Sequence, residues 1–208
     1  MRNPKPGILI FLIISGPVSA GEAYDNLYRV YDYPRTLNRD SVPVCFHHGC
    51  AQVERVSLSD AHWGRLSAYF TPPAANAAEE REQIRKAVAE MERITGLLAG
   101  TSGDVAGDIG GFSTLKPQMD CIDESSNSTT YLTLFEQANL LRWHSVEPVT
   151  RRGYFIVGGW PHFTALIRDH ATGELWAVDS WFRDNGAYPD IVDLETWKGG
   201  WKPEGFVF

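Results

Sequence analysis

The chain has 208 residues, of which 19 are lysine or arginine and 26 are aspartate or glutamate, so its formal net charge at pH 7 is −7. An acidic chain without a cluster of basic residues argues against nucleic acid and anionic lipid as partners. The sequence also contains no glycine-rich phosphate-binding loop of either common type.

The first twenty residues have the layout of a secretory signal peptide. Arg2 and Lys5 form a short basic start, residues 8–14 are an unbroken apolar run, and the small residues that end at Ala20 predict cleavage after that position. The apolar run is far shorter than the ~20 residues that span a bilayer, and an uncleaved anchor is the alternative. We therefore expect a periplasmic or secreted protein with no stable membrane span in the mature chain.

Three cysteines in an exported chain are an odd number. Cys45 and Cys50 are close enough in sequence to form a local disulfide, which leaves Cys121 as an unpaired thiol. A metal site made of Cys45, His47, His48 and Cys50 is the alternative, but ligands this close together are cramped for tetrahedral zinc. We favour the disulfide.

Residues 21–57 show no helical period and carry turn-forming prolines, so we predict an irregular N-terminal segment with room for a short strand. Ser59 is the predicted N-cap of a short helix that the following proline pair ends. A longer amphipathic helix is predicted from Asn76 to Gly100, because apolar residues recur at helical spacing and Asn76 with Glu79 matches a capping box.

The glycine-rich segment 100–118 is predicted to be a loop. Its Asp104 and Asp108 carry the oxygen ligands that calcium prefers, but they lack the spacing and the bidentate glutamate of a helix–loop–helix calcium site. A loop without a ligand is the favoured interpretation.

The segment from Cys121 to Trp143 is predicted to be a helix, since its apolar side chains fall on one face. After Gly153 the pattern changes to that of short strands, at residues 154–157, 163–167 and 175–178. Residues 170–173 form a predicted turn that joins the last two strands as an antiparallel hairpin. Helices followed by such strands predict an α+β fold, with N-terminal helices packed on an antiparallel sheet.

Cys121, His162 and Asp179 are the candidate catalytic residues. A helix N-terminus and a nearby imidazolium both favour the thiolate of Cys121, and they must outweigh the acidic residues beside it. His162 precedes one strand of the hairpin and Asp179 ends the other. If the turn centres on residues 171–172, His162 faces residue 181, and Asp179 is a diagonal neighbour of His162 at ~7–8 Å.

This arrangement resembles the transglutaminase-like branch of the papain-like fold, and most closely the exported bacterial transglutaminase-like cysteine proteinases. The resemblance covers roughly residues 58–182. It is carried by Asp120-Cys121-Ile122-Asp123, by His162 with its following apolar residues, and by Val178-Asp179. It implies Cys121 as nucleophile, His162 as general base and Asp179 as the acid that orients His162. Acidic residues beside the cysteine bind calcium in that bacterial family, so it also implies Asp120 and Asp123 as calcium ligands.

The expected organisation is a signal peptide (1–20), an irregular segment (21–57) and a cysteine hydrolase domain (58–208). We expect a peptidase that acts on a protein or peptide substrate, including one of the cell envelope, through a thioester acyl-enzyme. The backbone N–H of Cys121 is the default oxyanion donor, with Gln118 as a side-chain candidate. The chemistry requires no cofactor, and calcium is the candidate ion.

Three alternatives remain open. Transfer of the acyl group to an amine would make the protein a transglutaminase, and a cell-wall amidase would use the same triad. The third alternative is a catalytically inactive exported binding module, in which tryptophans line a ligand groove. The candidate groove residues are Trp143, Trp160, Trp181, Trp197 and Trp201.

Overall fold

The computed structural model describes residues 20–109, 117–153 and 161–206. The predicted signal peptide up to residue 19, the predicted strand 154–157 and Trp160 lie outside the described residues. Within the described residues, no helix is long and apolar enough to cross a membrane.

The described residues form helices and two antiparallel sheets, which confirms the α+β class. The helices are α1 (Ala20–Val30), α2 (Asp60–Ala68), α3 (Ala77–Ala99), α4 (Cys121–Gln137) and α5 (Leu194–Lys198). The strands are β1 (Val42–Phe46), β2 (Gln52–Val56), β3 (His144–Arg152), β4 (His162–Asp169), β5 (Leu175–Asp179) and β6 (Asp190–Asp193). β1 and β2 form a hairpin, and the second sheet has the order β3-β4-β5-β6.

The predicted hairpin between β4 and β5 is present in the predicted register. Ala165 lies opposite Val178, and Leu166 lies opposite Ala177, so the paired residues are centred on the turn at residues 171–172. Because this register is fixed by the turn, it brings the start of β4 next to the end of β5.

The prediction of an irregular segment over residues 21–57 is wrong. α1 is an amphipathic helix that buries Ala23, Tyr24 and Leu27 on one face, and β1 and β2 form a hairpin in the same segment. The side chains of α1 and β1 share one hydrophobic core with α3 and α4. The segment is therefore an integral part of the fold around α4.

The predicted helix starts agree with the structure. The Ser59 side chain accepts a hydrogen bond from the N–H of His62, and Asn76 accepts one from the N–H of Glu79. The Glu79 carboxylate accepts from the N–H of Ala75 rather than from that of Asn76, so the predicted capping box is shifted by one residue. Gly100 ends α3 in the left-handed conformation, with a φ of 81°, which suits glycine.

α4 is the central helix, and it is shorter than predicted. It ends at Gln137, Asn139 follows with a φ of 56°, and the chain enters β3 at His144. α4 packs against α1, α3, β1, β3 and β4, which buries nearly all of its polar N-terminal half, residues 123–130. Its buried threonines satisfy their hydroxyls locally; Thr129, for example, donates to the carbonyl of Ser125 at 2.7 Å.

Candidate active site

Cys121 is the first residue of α4. The N-cap Asp120 accepts hydrogen bonds from the N–H groups of Ile122 (2.9 Å) and Asp123 (3.0 Å). The Asp123 carboxylate accepts in turn from the N–H of Asp120 at 3.1 Å, which completes a capping box around Cys121. The capping box formed by Asp120 and Asp123 therefore fixes the start of α4 and the backbone of Cys121.

The disulfide loop packs on the same end of α4. Cys45 and Cys50 form the predicted disulfide, which excludes the metal site that would have used both as thiolates. All four residues 47–50 have positive φ values, between 56° and 66°, so their backbone is strained at the three positions that are not glycine. This conformation points successive N–H groups of the loop at Asp120 and Asp123.

These contacts occupy the carboxylates that the family resemblance assigns to calcium. Asp123 accepts from the N–H of His48 at 2.7 Å and from that of Cys50 at 2.6 Å, and Asp120 accepts from the N–H of Gly49 at 3.0 Å. Together with the capping bonds, each of the four carboxylate oxygens accepts a backbone N–H. These bonds satisfy the carboxylates without an ion, while a carboxylate oxygen that accepts one N–H keeps a lone pair that could also ligate calcium.

His162 and Asp179 lie side by side at the edge of the β4–β5 hairpin. His162 Nε2 is 2.7 Å from Asp179 Oδ2, and both side chains are buried. Since a carboxylate only accepts hydrogen bonds, Nε2 carries a proton, and the lone pair of the neutral ring lies on Nδ1. Nδ1 is buried and has no hydrogen-bond partner among the described residues. His162 thus has an oriented ring and an unoccupied basic nitrogen.

Cys121 lies against the main chain on both sides of His162. Its Sγ is 4.0 Å from the carbonyl oxygen of Pro161, and the backbone N–H of Phe163 lowers the pKa of the thiol. Trp181 packs against Cys121 and also against the His162 ring, at 4.7 Å between ring centroids. The structure therefore brings the predicted nucleophile and base together, with no hydrogen bond between the thiol and the imidazole.

The thiol environment differs from the prediction. Burial raises the pKa of Cys121 to about 12, and the charges of Asp120 and Asp179 act in the same direction, while the N–H of Phe163 and that of Cys121 itself lower the pKa. The expected depression of the thiol pKa is therefore wrong for this structure. Desolvation outweighs the backbone N–H groups at the helix start and favours the protonated thiol at neutral pH.

A cavity of about 350 Å³ opens beside Cys121, and we call it the Cys121 cavity. The apolar side chains of Ile109, Ile122, Phe163 and Trp181 line it, together with the charged Asp108, Asp120 and Arg151. The backbone N–H of Cys121 is one of the N–H groups at a helix start that have no partner inside the helix. It is therefore placed to serve as an oxyanion donor.

Gln118 does not fill the oxyanion role that the sequence predicted. Its amide donates to the carbonyl of Gly103 at 2.9 Å and accepts from the N–H of Val105 at 3.2 Å. The side chain is buried at 4% exposure and is not part of the Cys121 cavity wall. Gln118 thus holds the loop after α3, since both ends of its amide are occupied.

Two further residues lie at the site: Trp197, which was predicted only as a groove residue, and Arg152, which was not predicted. Trp197 Nε1 donates to Asp179 Oδ2 at 2.7 Å, so one carboxylate oxygen binds both the indole and His162. Arg152 lies opposite His162 in the β3–β4 register, and its guanidinium stacks over Trp197 at 4.4 Å. If β3 had been recognised in the sequence, its pairing with β4 would have placed Arg152 next to His162. The contact of Trp197 with Asp179 could not be predicted, because Trp197 lies in a short helix, α5, that has no distinctive sequence pattern.

The four candidate groove tryptophans among the described residues do not form one exposed surface. Trp197 is fully buried and Trp181 is 3% exposed, while Trp143 uses its N–H to bind the carbonyl of Ala74. Trp181 and Trp201 both contact Phe182. Trp181 packs against Cys121 and Trp197 binds Asp179, whereas Trp143 lies elsewhere, against Ala74.

Comparisons with known proteins identify no relative of this chain. No family model, no curated protein and no solved structure matches it.

Replacing Asp120 with asparagine is expected to lower the pKa of the Cys121 thiol. The substitution removes one of the two negative charges that raise this pKa, and asparagine caps a helix as well as aspartate does. Thiolate absorbance against pH should show the titration at lower pH in the Asp120→Asn variant. Asp60→Asn, at a fully exposed carboxylate, is the control and should leave the titration unchanged; an unchanged curve in Asp120→Asn would contradict the charge argument.

Proposed function

We propose that this protein is an exported cysteine hydrolase with a papain-like, transglutaminase-like architecture, and that it acts as a peptidase. The observation that carries the proposal is the His162–Asp179 pair, which leaves His162 Nδ1 buried and without a partner among the described residues. Cys121 begins α4, and its Sγ lies 4.0 Å from the carbonyl oxygen of Pro161, the residue before His162. A base oriented by an acid, beside a nucleophile at a helix N-terminus, is the arrangement that acyl transfer requires.

In the proposed reaction, His162 Nδ1 takes the proton from Cys121 Sγ as the sulfur attacks the carbonyl carbon of an amide. The resulting oxyanion is held by the N–H of Cys121. The tetrahedral intermediate then collapses, the C–N bond breaks, and the imidazolium returns its proton to the leaving amine. Water, activated by the same imidazole, cleaves the thioester and regenerates the thiol and the neutral ring.

Because the pKa of Cys121 is high, the proposed reaction depends strongly on His162 as general base. A thiol that is protonated at neutral pH becomes a nucleophile only when a base removes its proton. The proposed enzyme therefore depends on proton transfer to His162 during the attack, rather than on a thiolate–imidazolium pair at rest.

The same pKa favours a second candidate function, a catalytically inactive exported binding module. A desolvated thiol without a hydrogen bond to His162 is also the state of an inert buried cysteine. Transglutaminase and cell-wall amidase activities would share the acyl-enzyme and differ in acceptor or substrate, so they remain variants of the proposed function.

Export is proposed from the signal-peptide pattern of residues 1–20 and from the disulfide, which persists in oxidising compartments. The proposed partner is a protein or peptide, including one of the cell envelope. Calcium stays an untested expectation, and no step of the proposed reaction uses it.

Replacing His162 with alanine is expected to slow alkylation of Cys121 by a peptidyl chloromethyl ketone by about 10²–10⁴-fold, the range of general-base contributions. The probe is N-acetyl-Ala-Ala chloromethyl ketone, and intact-mass spectrometry measures the rate at which the adduct forms on Cys121. The ketone occupies the position of a scissile carbonyl, so its reaction reports the proposed geometry.

His170→Ala is the matched control, because His170 is an exposed histidine in the β4–β5 turn. Urea-unfolded wild type and unfolded His162→Ala should react at equal rates. Equal rates in the folded proteins would exclude the hydrolase and leave the inactive binding module.

A further inference from the structure

Arg152 is a half-buried cation beside the proposed catalytic residues. It lies at the end of β3, directly opposite His162 in the register between β3 and β4. Burial lowers the pKa of its guanidinium, and the negative charges of Asp179 and Cys121 act in the opposite direction. Because a partly desolvated cation costs free energy unless its donors have partners, the contacts of Arg152 indicate what its position contributes.

Two contacts join Arg152 to Trp197. Nη1 of Arg152 donates a hydrogen bond to the carbonyl oxygen of Trp197, and the guanidinium carbon lies 4.4 Å from the centroid of the indole ring. The hydrogen bond holds the main chain of Trp197, and the stack holds the plane of its ring. A planar guanidinium can make both contacts at once, whereas a lysine ammonium is a point charge without a flat face.

The orientation of the indole decides where its N–H points. Trp197 Nε1 donates to Asp179 Oδ2 at 2.7 Å, and the same oxygen is 2.7 Å from His162 Nε2. A carboxylate can rotate about its Cβ–Cγ bond, and the second donor on Oδ2 restrains that rotation. The contacts therefore form a chain that runs from Arg152 through Trp197 and Asp179 to His162.

We propose that Arg152 is a positioning residue for the reaction: it clamps Trp197, and the indole N–H then keeps Asp179 Oδ2 directed at His162. This proposal rests on the proposed function. Among the described residues that line the Cys121 cavity, Arg151 is present and Arg152 is not, so Arg152 acts through Trp197 rather than on the substrate. Trp197 needs support from β3 because α5 has only five residues.

The test measures labelling of Cys121 by N-acetyl-Ala-Ala chloromethyl ketone over a range of probe concentrations, which separates the maximal rate of labelling from the apparent dissociation constant of the probe. Arg152→Lys keeps the charge but loses the planar stack. It should lower the maximal rate by about tenfold to a hundredfold, the range for a slightly misplaced catalytic group. The apparent dissociation constant should not change, because Arg152 does not touch the probe.

Trp197→Phe keeps a buried ring but removes the N–H, so it should lower the maximal rate at least as much as Arg152→Lys. In the double variant, Arg152→Lys should cause no further fall, because the hydrogen bond through which Arg152 acts is already absent. Arg142→Lys is the matched control, since Arg142 is an exposed arginine before β3; it should keep both wild-type values. Thermal unfolding checks that each variant is folded.

Three results would overturn the positioning role while the wild type still reacts in a His162-dependent manner. These are an unchanged maximal rate in Arg152→Lys, independent effects of the two substitutions in the double variant, and a changed apparent dissociation constant with an unchanged maximal rate. An unchanged maximal rate in Trp197→Phe would also overturn it, and this result does not depend on whether Arg152→Lys folds. Loss of His162 dependence in the wild type would instead overturn the proposed function itself.

Discussion

Replacement of Asp179 is expected to reduce the rate of chloromethyl ketone labelling of Cys121 by about a thousandfold. Asp179 Oδ2 accepts from His162 Nε2 and from Trp197 Nε1, each at 2.7 Å. Without this oxygen, nothing fixes the proton on Nε2, and the ring loses the tautomer that leaves Nδ1 basic. Asp179→Ala tests this, with the labelling rate measured by intact mass at pH 7.

A loss of rate must be separated from a loss of folding, because Asp179→Ala leaves a buried indole N–H unpaired, at a cost of about 1–3 kcal/mol. Asp179→Asn keeps an acceptor for Trp197 but removes the negative charge that stabilises the His162 imidazolium. It should therefore unfold near the wild-type temperature while still reacting slowly. Asp190→Asn is the control, since Asp190 lies directly opposite Asp179 on β6 and binds Arg183. A folded Asp179→Asn protein that labels at the wild-type rate would contradict the role of Asp179.

The hairpin that carries His162 and Asp179 was predictable because its information is local. The turn at residues 170–173 fixes the register of β4 and β5, and the strands are short apolar runs on either side. The disulfide between Cys45 and Cys50 was predictable for the same reason, since the loop between the two cysteines is short. These two features placed the predicted base beside its acid and left Cys121 as the free thiol.

The surroundings of the site were not predictable, because they depend on packing between distant segments. β3 contains Glu147, Pro148, Arg151 and Arg152, which hide its strand character. α4 is polar over its first three turns yet buried, since other elements surround it. The high pKa of Cys121 comes from this burial. The sequence predicted a helix start and a histidine near Cys121, but neither feature indicates how deeply the thiol is buried.

The free energy of unfolding is expected to fall as the pH rises from about 6 to 8.5, because three carboxyl groups are buried together behind the site. Glu92, Asp104 and Glu124 are each at most 4% exposed. Burial raises the pKa of Glu92 to about 8 and that of Asp104 to about 7, and it raises that of Glu124 well above its usual range. Repulsion within the cluster adds to the shifts of Glu92 and Glu124, whereas a hydrogen bond with Glu124 lowers the pKa of Asp104.

The charges around this cluster do not reverse the shifts. Asp123 repels Asp104 and Glu124, and Asp108 repels Asp104, while Arg93 is the cation that acts on Glu92. The few hydrogen bonds, such as that from Ser180 Oγ to Glu124 Oε2 at 2.7 Å, offset only part of the desolvation, and Glu92 Oε1 has no partner among the described residues. The folded protein therefore retains protons that the unfolded chain, with carboxyl pKa values near ~4, has already lost.

The sign of the effect follows from proton linkage. Where the folded state binds more protons than the unfolded state, raising the pH favours unfolding. The stabilisation from these groups is fully present below the unfolded pKa values near ~4, and it is lost as the pH rises through the folded values of about 7 and about 8. For a chain of this size, each kcal/mol by which the free energy of unfolding falls lowers Tm by about 2–4 °C. Thermal unfolding at a series of pH values and constant ionic strength therefore measures the loss of stability.

Glu92→Gln should flatten the fall in Tm between pH 7 and 8.5, because glutamine keeps the shape and the acceptor for Gly186 but cannot ionise. Glu82→Gln, on the exposed face of the same helix, should leave the pH dependence unchanged. A Tm that stays constant or rises over this range in the wild type would exclude a buried protonated cluster.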